Sequence, residues 1–318
     1  MVERIETHSK HFALWRLAEG IYAAIHQEGG SAICNAGLID LGGRLLVFDA
    51  FLTPQAANDL CQFSLNEFNQ APQFVINSHY HNDHIWGNQV FAQQTQIISS
   101  TKTFEQFNTL GVEEYEWYTA NAPKKLAEIQ EQYQQAPDEQ SRLSLIGMLG
   151  YYTGLVEALP TLKVCKPNLT FSKHLNLYGH QRAAQLIAFT GAHTESDTVL
   201  YLPEDGIVFT SDLLFVNTHP YLSEGDPNLL LQALNELLTL NASCFIPGHG
   251  PIGTVEDIRS MISYVEDCLS MGEKLAQAGI EDEALSDIPV PQKYKNWGLP
   301  HMFQDNIASI YKRIKTSA

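Results

Sequence analysis

The sequence predicts an α/β fold built from layers of strands and helices. Short apolar runs bounded by turn residues occur in two blocks, one before about residue 100 and one after Pro167. Helical stretches follow the strands in both blocks, and a helix-rich segment separates the blocks. Mixed strand runs with flanking helices are typical of layered α/β proteins. Hydrophobic residues make up 44% of the 318-residue chain, enough for a sizeable core.

The first block contains five strands and one helix that are recognisable from local pattern. Apolar runs at 20–27, 31–41 and 44–50 read as strands, and Gly42-Gly43 joins the last two as a turn. Thr53 and Pro54 suit a helix N-terminus, and the helix is expected to run to about Asn69. Further buried strands are predicted at 73–78 and 95–100.

The segment from about 101 to 160 is predicted to be a helical insert. Glu, Gln, Ala and Leu dominate it, and Pro123 and Pro137 are expected to break it into two to four helices. It is rich in aromatic residues, namely Tyr115, Trp117, Tyr118, Tyr151 and Tyr152. Two interpretations stay open: a packing unit that forms the face of a homodimer, or a cap over a pocket.

The second block returns to strands after Pro167. Strands are predicted at 169–178, 182–190, 198–204, 206–212 and 243–247. A helix is expected at 227–240, a long one at 255–278, and an amphipathic one at 300–314. We therefore expect a single domain over 1–318, with the insert at about 101–160 and C-terminal helices over about 255–318.

The charge and composition of the chain argue against several classes of binding partner and of cellular location. The formal net charge is −17, so nucleic acid and anionic membrane surfaces would be repelled. Residues 1–20 lack the apolar core of a signal peptide, and no apolar run is long enough to span a membrane. Five widely spaced cysteines without a C-x-x-C pair indicate reduced thiols. A cytoplasmic protein acting on a small-molecule substrate is expected.

The segment SHYHNDHIWGN, residues 78–88, concentrates metal-binding side chains. His79, His81, Asp83 and His84 lie within six positions at the end of a predicted strand. In a continuing strand His84 would point away from the other three, since alternate residues share a face. Asn and Asp favour turns, so the chain is expected to leave the strand at about Ser78 and bring all four together.

Three later segments repeat this placement. His193 follows one predicted strand, Asp212 another, and His249 lies between two glycines after a third. Imidazole and carboxylate groups are ligands that zinc accepts in proteins. Five histidines and two aspartates are too many for one tetrahedral ion, and they suit two ions that share a bridging ligand.

The pattern H-x-H-x-D-H, followed by GAHTESD, TSDLLF and IPGHGP, resembles the metallo-β-lactamase fold superfamily. It is most similar to the zinc hydrolases related to glyoxalase II and to the quinoprotein relay-system hydrolases, the latter through THPYLSEGDPNLLLQALNELL. The resemblance covers most of the chain outside the insert. It implies an αββα four-layer sandwich, a single metallo-hydrolase domain, and a site at one edge of the sheets.

The resemblance also implies a ligand set. His79, His81 and His193 would bind the first ion, Asp83, His84 and His249 the second, and Asp212 would bridge them. Two Zn²⁺ ions are expected, with iron or manganese possible on such nitrogen and oxygen ligands. A cysteine replaces the bridging aspartate in some lactamases, so Asp212 favours the general hydrolase branches.

Such a site predicts hydrolysis of an ester, thioester, lactone or similar bond by a metal-bridging hydroxide. Asp83 is the candidate that orients this hydroxide, and His219 or Tyr221 is the candidate acid for the leaving group. Asp49 and Asp197 could each hold a ligand ring by accepting a hydrogen bond. No G-x-S-x-G motif is present, so a serine nucleophile is not indicated.

Three competing functions remain open. One is an oxidoreductase like the persulfide dioxygenases, which use a single iron on two histidines and an aspartate. The others are β-lactam hydrolysis and a non-enzymatic, metal-dependent binding protein. The remaining histidines are expected to be structural, and Cys244 to be buried in its strand. These histidines are His8, His11, His26, His174, His180 and His301.

Overall fold

Two β-sheets pack face to face, and helices cover their outer surfaces. The computed structural model describes residues 2–93 and 95–317. The first sheet contains, in spatial order, β1 (Glu3–Ile5), β2 (Phe12–Ala18), β3 (Ile21–His26), β4 (Ala36–Asp40), β5 (Leu45–Phe48), β6 (Phe74–Ile76), β7 (Gln96–Ser100) and β8 (Leu169–Phe171). Neighbouring strands are antiparallel from β1 to β5 and parallel from β5 to β8.

The second sheet has five strands. They are β9 (His174–Tyr178), β10 (Ala183–Thr190), β11 (Ser196–Leu202), β12 (Ile207–Phe215) and β13 (Cys244–His249). They are adjacent in numerical order, and only β12 and β13 are parallel. The helices are α1 (Pro54–Phe68), α2 (Asn82–Ile85), α3 (Thr101–Phe107), α4 (Leu110–Gln135), α5 (Glu139–Ala158), α6 (Pro227–Leu237), α7 (Val255–Ala278) and α8 (His301–Ser317).

The core between the sheets explains the four-layer arrangement. Phe48 from the first sheet meets Phe209 from the second with ring centroids 6.0 Å apart, within one continuous apolar cluster. A second cluster joins the first sheet to α1, and a third joins the second sheet to α6, α7 and α8. The predicted αββα fold is confirmed. No described helix is both long and apolar enough to cross a bilayer.

Local signals predicted several elements well. Thr53 caps α1 by accepting a hydrogen bond from the Ala56 N–H at 3.3 Å, and Asn69 ends the helix with a positive φ of 52°. Helix α7 has the predicted bounds, and Thr254 and Asp257 form a capping box at its start. These features depend on neighbouring residues, which is why the sequence alone indicates them.

The insert differs from its prediction at Pro123. Helix α4 continues through this proline, whereas the break at Pro137 is present. Pro123 lies on the exposed side of α4, where water can satisfy the carbonyl group that loses its partner. The buried Ala122 and Ile129 hold the helix onto the core of the insert on both sides of the proline.

Three strand predictions are wrong. The strand predicted at 169–178 is in fact two strands, β8 and β9, which belong to different sheets. The strand predicted at 31–41 begins only at Ala36, because the Asn35 side chain accepts the His26 N–H and donates to the Pro247 carbonyl, both at 2.9 Å. Strand β12 does not end at Asp212 but continues to Phe215. Its pairing with β13 shifts register on both sides of Ser211, whose φ is 47°. Such a bulge redirects the next side chain, here that of Asp212.

The exposed faces of α4 and α5 carry four large apolar side chains. They are Leu110, Val112, Trp117 and Leu143. These residues are compatible with the predicted homodimer through the insert, which stays a prediction.

Candidate metal centre

All seven side chains that the sequence singles out converge at one edge of the two sheets. The chain leaves β6, and the single turn of α2 carries Asp83 and His84, while His79 and His81 precede it. His193 lies between β10 and β11, and His249 is the last residue of β13. A turn after β6 was expected; a short helix achieves the same convergence.

The first group consists of His79, His81, His193 and Asp212, with one ligand atom from each within 4.8 Å of the others. His81 Nδ1 lies 3.0 Å from His79 Nε2 and 3.2 Å from His193 Nε2. Asp212 Oδ2 lies 3.3 Å from His193 Nε2 and 3.9 Å from His79 Nε2. Ligands about 2.0–2.1 Å from a tetrahedral zinc ion lie about 3.3 Å apart, so the spacing fits such an ion.

The second group consists of Asp83, His84 and His249, and it shares Asp212 with the first. Asp212 Oδ1 lies 3.2 Å from His84 Nε2 and 3.5 Å from His249 Nε2. Asp83 Oδ2 lies 3.6 Å and 3.4 Å from the same two nitrogens. The two oxygens of Asp212 therefore face different groups, which is the position required of a bridging ligand.

Two buried atoms indicate that this cluster is built for a cation. His84 Nε2 and Asp212 Oδ1 are 3.2 Å apart, yet neither has a hydrogen-bond partner among the described residues. Buried polar atoms without partners cost free energy. A divalent ion between them would satisfy both, so the residues fit a metal centre.

In four of the histidine rings, the nitrogen that faces away from the cluster has a partner. The other nitrogen of each ring then remains available to a cation. The pairs are His79 Nδ1 with Ser78 Oγ at 2.9 Å, His81 Nε2 with Glu224 Oε2 at 2.9 Å, His84 Nδ1 with Asp49 Oδ2 at 2.8 Å, and His193 Nδ1 with the Tyr221 carbonyl oxygen at 3.2 Å. Such contacts fix the tautomer and orientation of metal-ligating rings. His249 is held differently, by stacking on Phe215 at 5.1 Å.

Burial and the neighbouring charges favour the protonation states that ligands need at His79, His193 and Asp212, but not at three other rings. Burial alone would lower the pKa values of His81, His84 and His249, but neighbouring groups, carboxylates among them, raise them, that of His81 to about 9, so these rings must release a proton when a cation binds. Burial lowers the pKa of His193 to about 4 and that of His79 well below its usual value, so both rings are neutral at pH 7. Burial alone would raise the pKa of Asp212, but His249 and His84 hold it well below the ordinary value. Neutral imidazole and ionised carboxylate are the forms that bind cations.

Replacing Asp49 by asparagine should weaken metal binding. The Asp49 carboxylate, fully buried, accepts from His84 Nδ1, the Ser78 N–H and the Ser211 hydroxyl, all at 2.8 Å. Loss of its charge should lower metal affinity about 10- to 100-fold, as is usual for groups that orient a ligand. Competition with a chromophoric chelator measures this, with the exposed Asp287→Asn as control. Unchanged affinity would remove Asp49 from this role.

Asp197 supports His193 differently from the prediction. Its carboxylate accepts the backbone N–H groups of His193 and Thr194 at 2.9 and 3.0 Å, and the Thr194 hydroxyl at 2.8 Å. It therefore holds the loop, whereas the carbonyl oxygen of Tyr221 orients the ring. The difference arises because the turn between β10 and β11 folds back towards Asp197, so that backbone N–H groups of the turn, and not the His193 ring, reach its carboxylate.

His219 lies in an aromatic cluster. Its Nδ1 is 2.9 Å from the Tyr264 hydroxyl, and its ring centroid is 5.7 Å from that of Trp297 and 5.9 Å from that of Phe303. It is fully buried, and burial lowers its pKa to about 4. This setting does not favour His219 as an acid for a leaving group. Tyr221 is half-buried, with its ring centroid 6.1 Å from those of His81 and His193.

The insert packs directly on the metal-binding segment. The Tyr151 hydroxyl of α5 contacts both polar atoms of the Asn82 side chain, at 2.8 and 3.1 Å. Tyr115 and Tyr118 of α4 each meet the ring of Trp86 at 6.0 Å. These contacts support the interpretation of the insert as a wall or cap of the site.

Glu224 is the main residue of the site that sequence reasoning missed. Its Oε2 lies 2.9 Å from both His81 Nε2 and the Tyr80 hydroxyl. It is in the loop between β12 and α6, 143 positions from His81. It lies within the segment THPYLSEGDPNLLLQALNELL on which the finer resemblance is based, but the sequence alone gave no reason to single out this side chain. Cys244, expected to be buried, is only half-buried.

Two other histidines near the site accept hydrogen bonds from backbone N–H groups. His26 Nδ1 accepts the Ile33 N–H at 3.1 Å, and His11 Nδ1 accepts the Ser31 N–H at 3.1 Å. These bonds order the β3–β4 loop beside β13, which is a structural role.

The chain matches one known family model and shares its fold with solved structures. The family model of the metallo-beta-lactamase superfamily matches residues 29–249, which include all seven clustered side chains. No curated protein matches the sequence.

Among the solved structures that share the fold, three are each 14% identical to this chain. A metallo-beta-lactamase from Pontibacter korlensis has a TM-score of 0.53, with 84% of this chain and 99% of that one covered. The DIM-1 metallo-beta-lactamase exposed to ceftazidime has a TM-score of 0.58, with 83% and 99% covered. The stereoselective inverting sec-alkylsulfatase Pisa1 from Pseudomonas sp. has a TM-score of 0.65, with 94% of this chain but 50% of that one covered.

Proposed function

This chain belongs to the metallo-β-lactamase superfamily, and from that premise we propose that it is a dinuclear metal-dependent hydrolase of small molecules. The single observation that carries the proposal is the position of Asp212. One of its carboxylate oxygens faces the His79, His81 and His193 group, and the other faces the second group. A site for one ion would not need the second set of ligands. Zinc is the proposed metal, with iron or manganese as alternatives.

The proposed reaction adds water across an ester, thioester, lactone or similar bond, giving an acid and an alcohol or thiol. When bound, a pair of divalent cations would lower the pKa of a shared water molecule and polarise the scissile carbonyl oxygen. Asp83, whose Oδ2 lies between His84 and His249, can accept a hydrogen bond from that water and orient it. Asp49 fixes the orientation of the His84 ring during this reaction, and Glu224 fixes that of the His81 ring.

Tyr221 is the better candidate to serve the leaving group. Burial and the charge of Glu224 raise the pKa of its phenol, so it keeps its proton at neutral pH. Its ring borders His81 and His193, whereas His219 packs against Tyr264. Tyr221 can therefore donate a hydrogen bond to the departing oxygen or sulfur.

Metal analysis together with a substrate panel tests the proposed function. We expect close to two zinc ions per chain in unchelated protein, and hydrolysis of an ester, thioester or lactone that a chelator abolishes and zinc restores. Alkyl sulfates and a chromogenic β-lactam belong in the panel because of the structural neighbours. Fewer than one metal ion per chain would contradict the proposal.

The same experiment separates the alternatives. A single iron with oxygen uptake on a persulfide would indicate an oxidoreductase. Bound metal without turnover across the whole panel would favour a metal-dependent binding protein. Rapid β-lactam turnover, which we do not expect, would assign the antibiotic-degrading branch.

A further inference from the structure

We propose that the wall of the site built by α3 and α4 binds a protonated amine on the substrate through Glu114 and Gln106. This inference rests on the proposed hydrolase function and names its substrate class.

Two buried acceptors on this wall have no donor. Glu114 Oε2 and Gln106 Oε1 are inaccessible to solvent, and neither has a hydrogen-bond partner among the described residues. Gln106 is only 3% exposed, and its Nε2 is 3.4 Å from Glu224 Oε1. Because a carboxylate only accepts, the amide must turn its NH₂ towards Glu224, and the carbonyl oxygen is the atom left over. A group with several N–H donors would satisfy acceptors of this kind.

The surroundings of Glu114 favour a cation as that donor. The charge of Glu114 acts on three tyrosines, Tyr80, Tyr118 and Tyr151, whose pKa values are raised first by burial and then by nearby groups including Glu114. The Tyr118 and Tyr151 rings are 5.8 Å apart. Carboxylates and aromatic faces together are the groups that recognise ammonium ions in proteins.

The charged groups near Glu114 are of both signs. Beyond the effect of burial, His81 lowers the pKa of this carboxyl, and Asp83 and Glu224 raise it. Burial raises the pKa of Glu114 to about 7, and a neighbouring ammonium ion would favour the carboxylate. The net charge of −17 would also attract cationic substrates from solution.

The wall is fixed relative to the metal-binding residues. Gln106 Nε2 of α3 is 3.4 Å from Glu224 Oε1, and Glu224 Oε2 accepts from the hydroxyl of Tyr80, which lies between His79 and His81. Tyr118 of α4 packs on the rings of Trp86 and Tyr151, and the Tyr151 hydroxyl contacts Asn82 beside Asp83. An ammonium group on this wall would therefore sit next to the bond being hydrolysed. Glu113 and Glu116 of the same helix are exposed and do not share this setting.

A pair of matched substrates tests the proposal. One ester or thioester carries a primary ammonium group near the scissile bond, and the other carries a methyl group in its place. We expect the wild-type protein to prefer the ammonium substrate at least about tenfold in kcat/KM. In Glu114→Gln the ratio of kcat/KM between the ammonium and methyl substrates should fall at least about tenfold. In the control Glu116→Gln this ratio should be unchanged. Equal rates for both substrates in wild type, or an equal loss for both in Glu114→Gln, would overturn the proposal.

Binding without turnover keeps the test independent of the hydrolase assignment. Saturation-transfer NMR with butylammonium and butanol should detect binding of the cation alone, lost in Glu114→Gln and retained in Glu116→Gln. If Glu114→Gln does not fold, as judged by circular dichroism, Gln106→Leu should show the same loss. Butylammonium binding without hydrolysis on any panel substrate would support this inference while contradicting the proposed function. Hydrolysis of the methyl substrate with no butylammonium binding would support the proposed function and contradict this inference.

Discussion

An Asp212→Asn variant is expected to bind no more than one metal ion and to lose at least about a thousandfold in kcat/KM. Asp212 faces both groups of ligands, at 3.2 Å from His84 Nε2 and 3.3 Å from His193 Nε2. Asparagine keeps the shape but removes the negative charge between two proposed cations. The loss should exceed the 10- to 100-fold typical of groups that only orient a ligand.

Metal content by plasma mass spectrometry and chelator competition measure this effect alongside kinetics. Asp287→Asn removes the same charge at an exposed position and should behave as wild type. Two tightly bound ions in Asp212→Asn would show that this carboxylate is not the shared ligand.

A Gly248→Ala variant should damage the same site without changing any ligand. Gly248 lies in β13 just before His249, and a Cβ there would be 1.8 Å from Asp212 Oδ1 and 2.9 Å from the Asp212 backbone nitrogen. Neither atom can remain where it is. A displacement of about 1 Å at a reacting centre can cost about a hundredfold in rate, so we expect at least that loss in kcat/KM. Overpacking should also lower the free energy of unfolding by about 1–3 kcal/mol.

Gly147→Ala is the matched control for this substitution. Gly147 lies on an exposed part of α5, and the nearest atom to an added Cβ is 3.7 Å away. The change should leave kcat/KM unaltered and stabilise the protein by about 0.5–1 kcal/mol. Chemical denaturation and metal titration compare the two variants. Wild-type metal affinity in Gly248→Ala would mean that Asp212 has another position available to it.

Much of the fold could be predicted because its signals are local. The Thr53 cap, the Asn69 terminus and the bounds of α7 follow from residues a few positions apart. Strand ends were less predictable. The pairing of β12 with β13 carries β12 past Asp212, and contacts from Asn35 to the other sheet keep residues before Ala36 out of β4. Strands β1 and β2 gave too weak a pattern to be assigned.

The sequence by itself determined the layered α/β class, the seven candidate ligands and the family resemblance. The spacing of His79, His81, Asp83 and His84 is local, and apolar runs place His193 and His249 at the ends of strands, whereas Asp212 lies within β12. Only the tertiary structure decided which groups hold the rings. It paired His84 with Asp49, His81 with Glu224 and His193 with the Tyr221 carbonyl oxygen, and it moved His219 into an aromatic cluster. These partners lie 28 to 143 positions from their rings, and the packing of separate strands and loops brings them together. No pattern of neighbouring residues encodes such contacts.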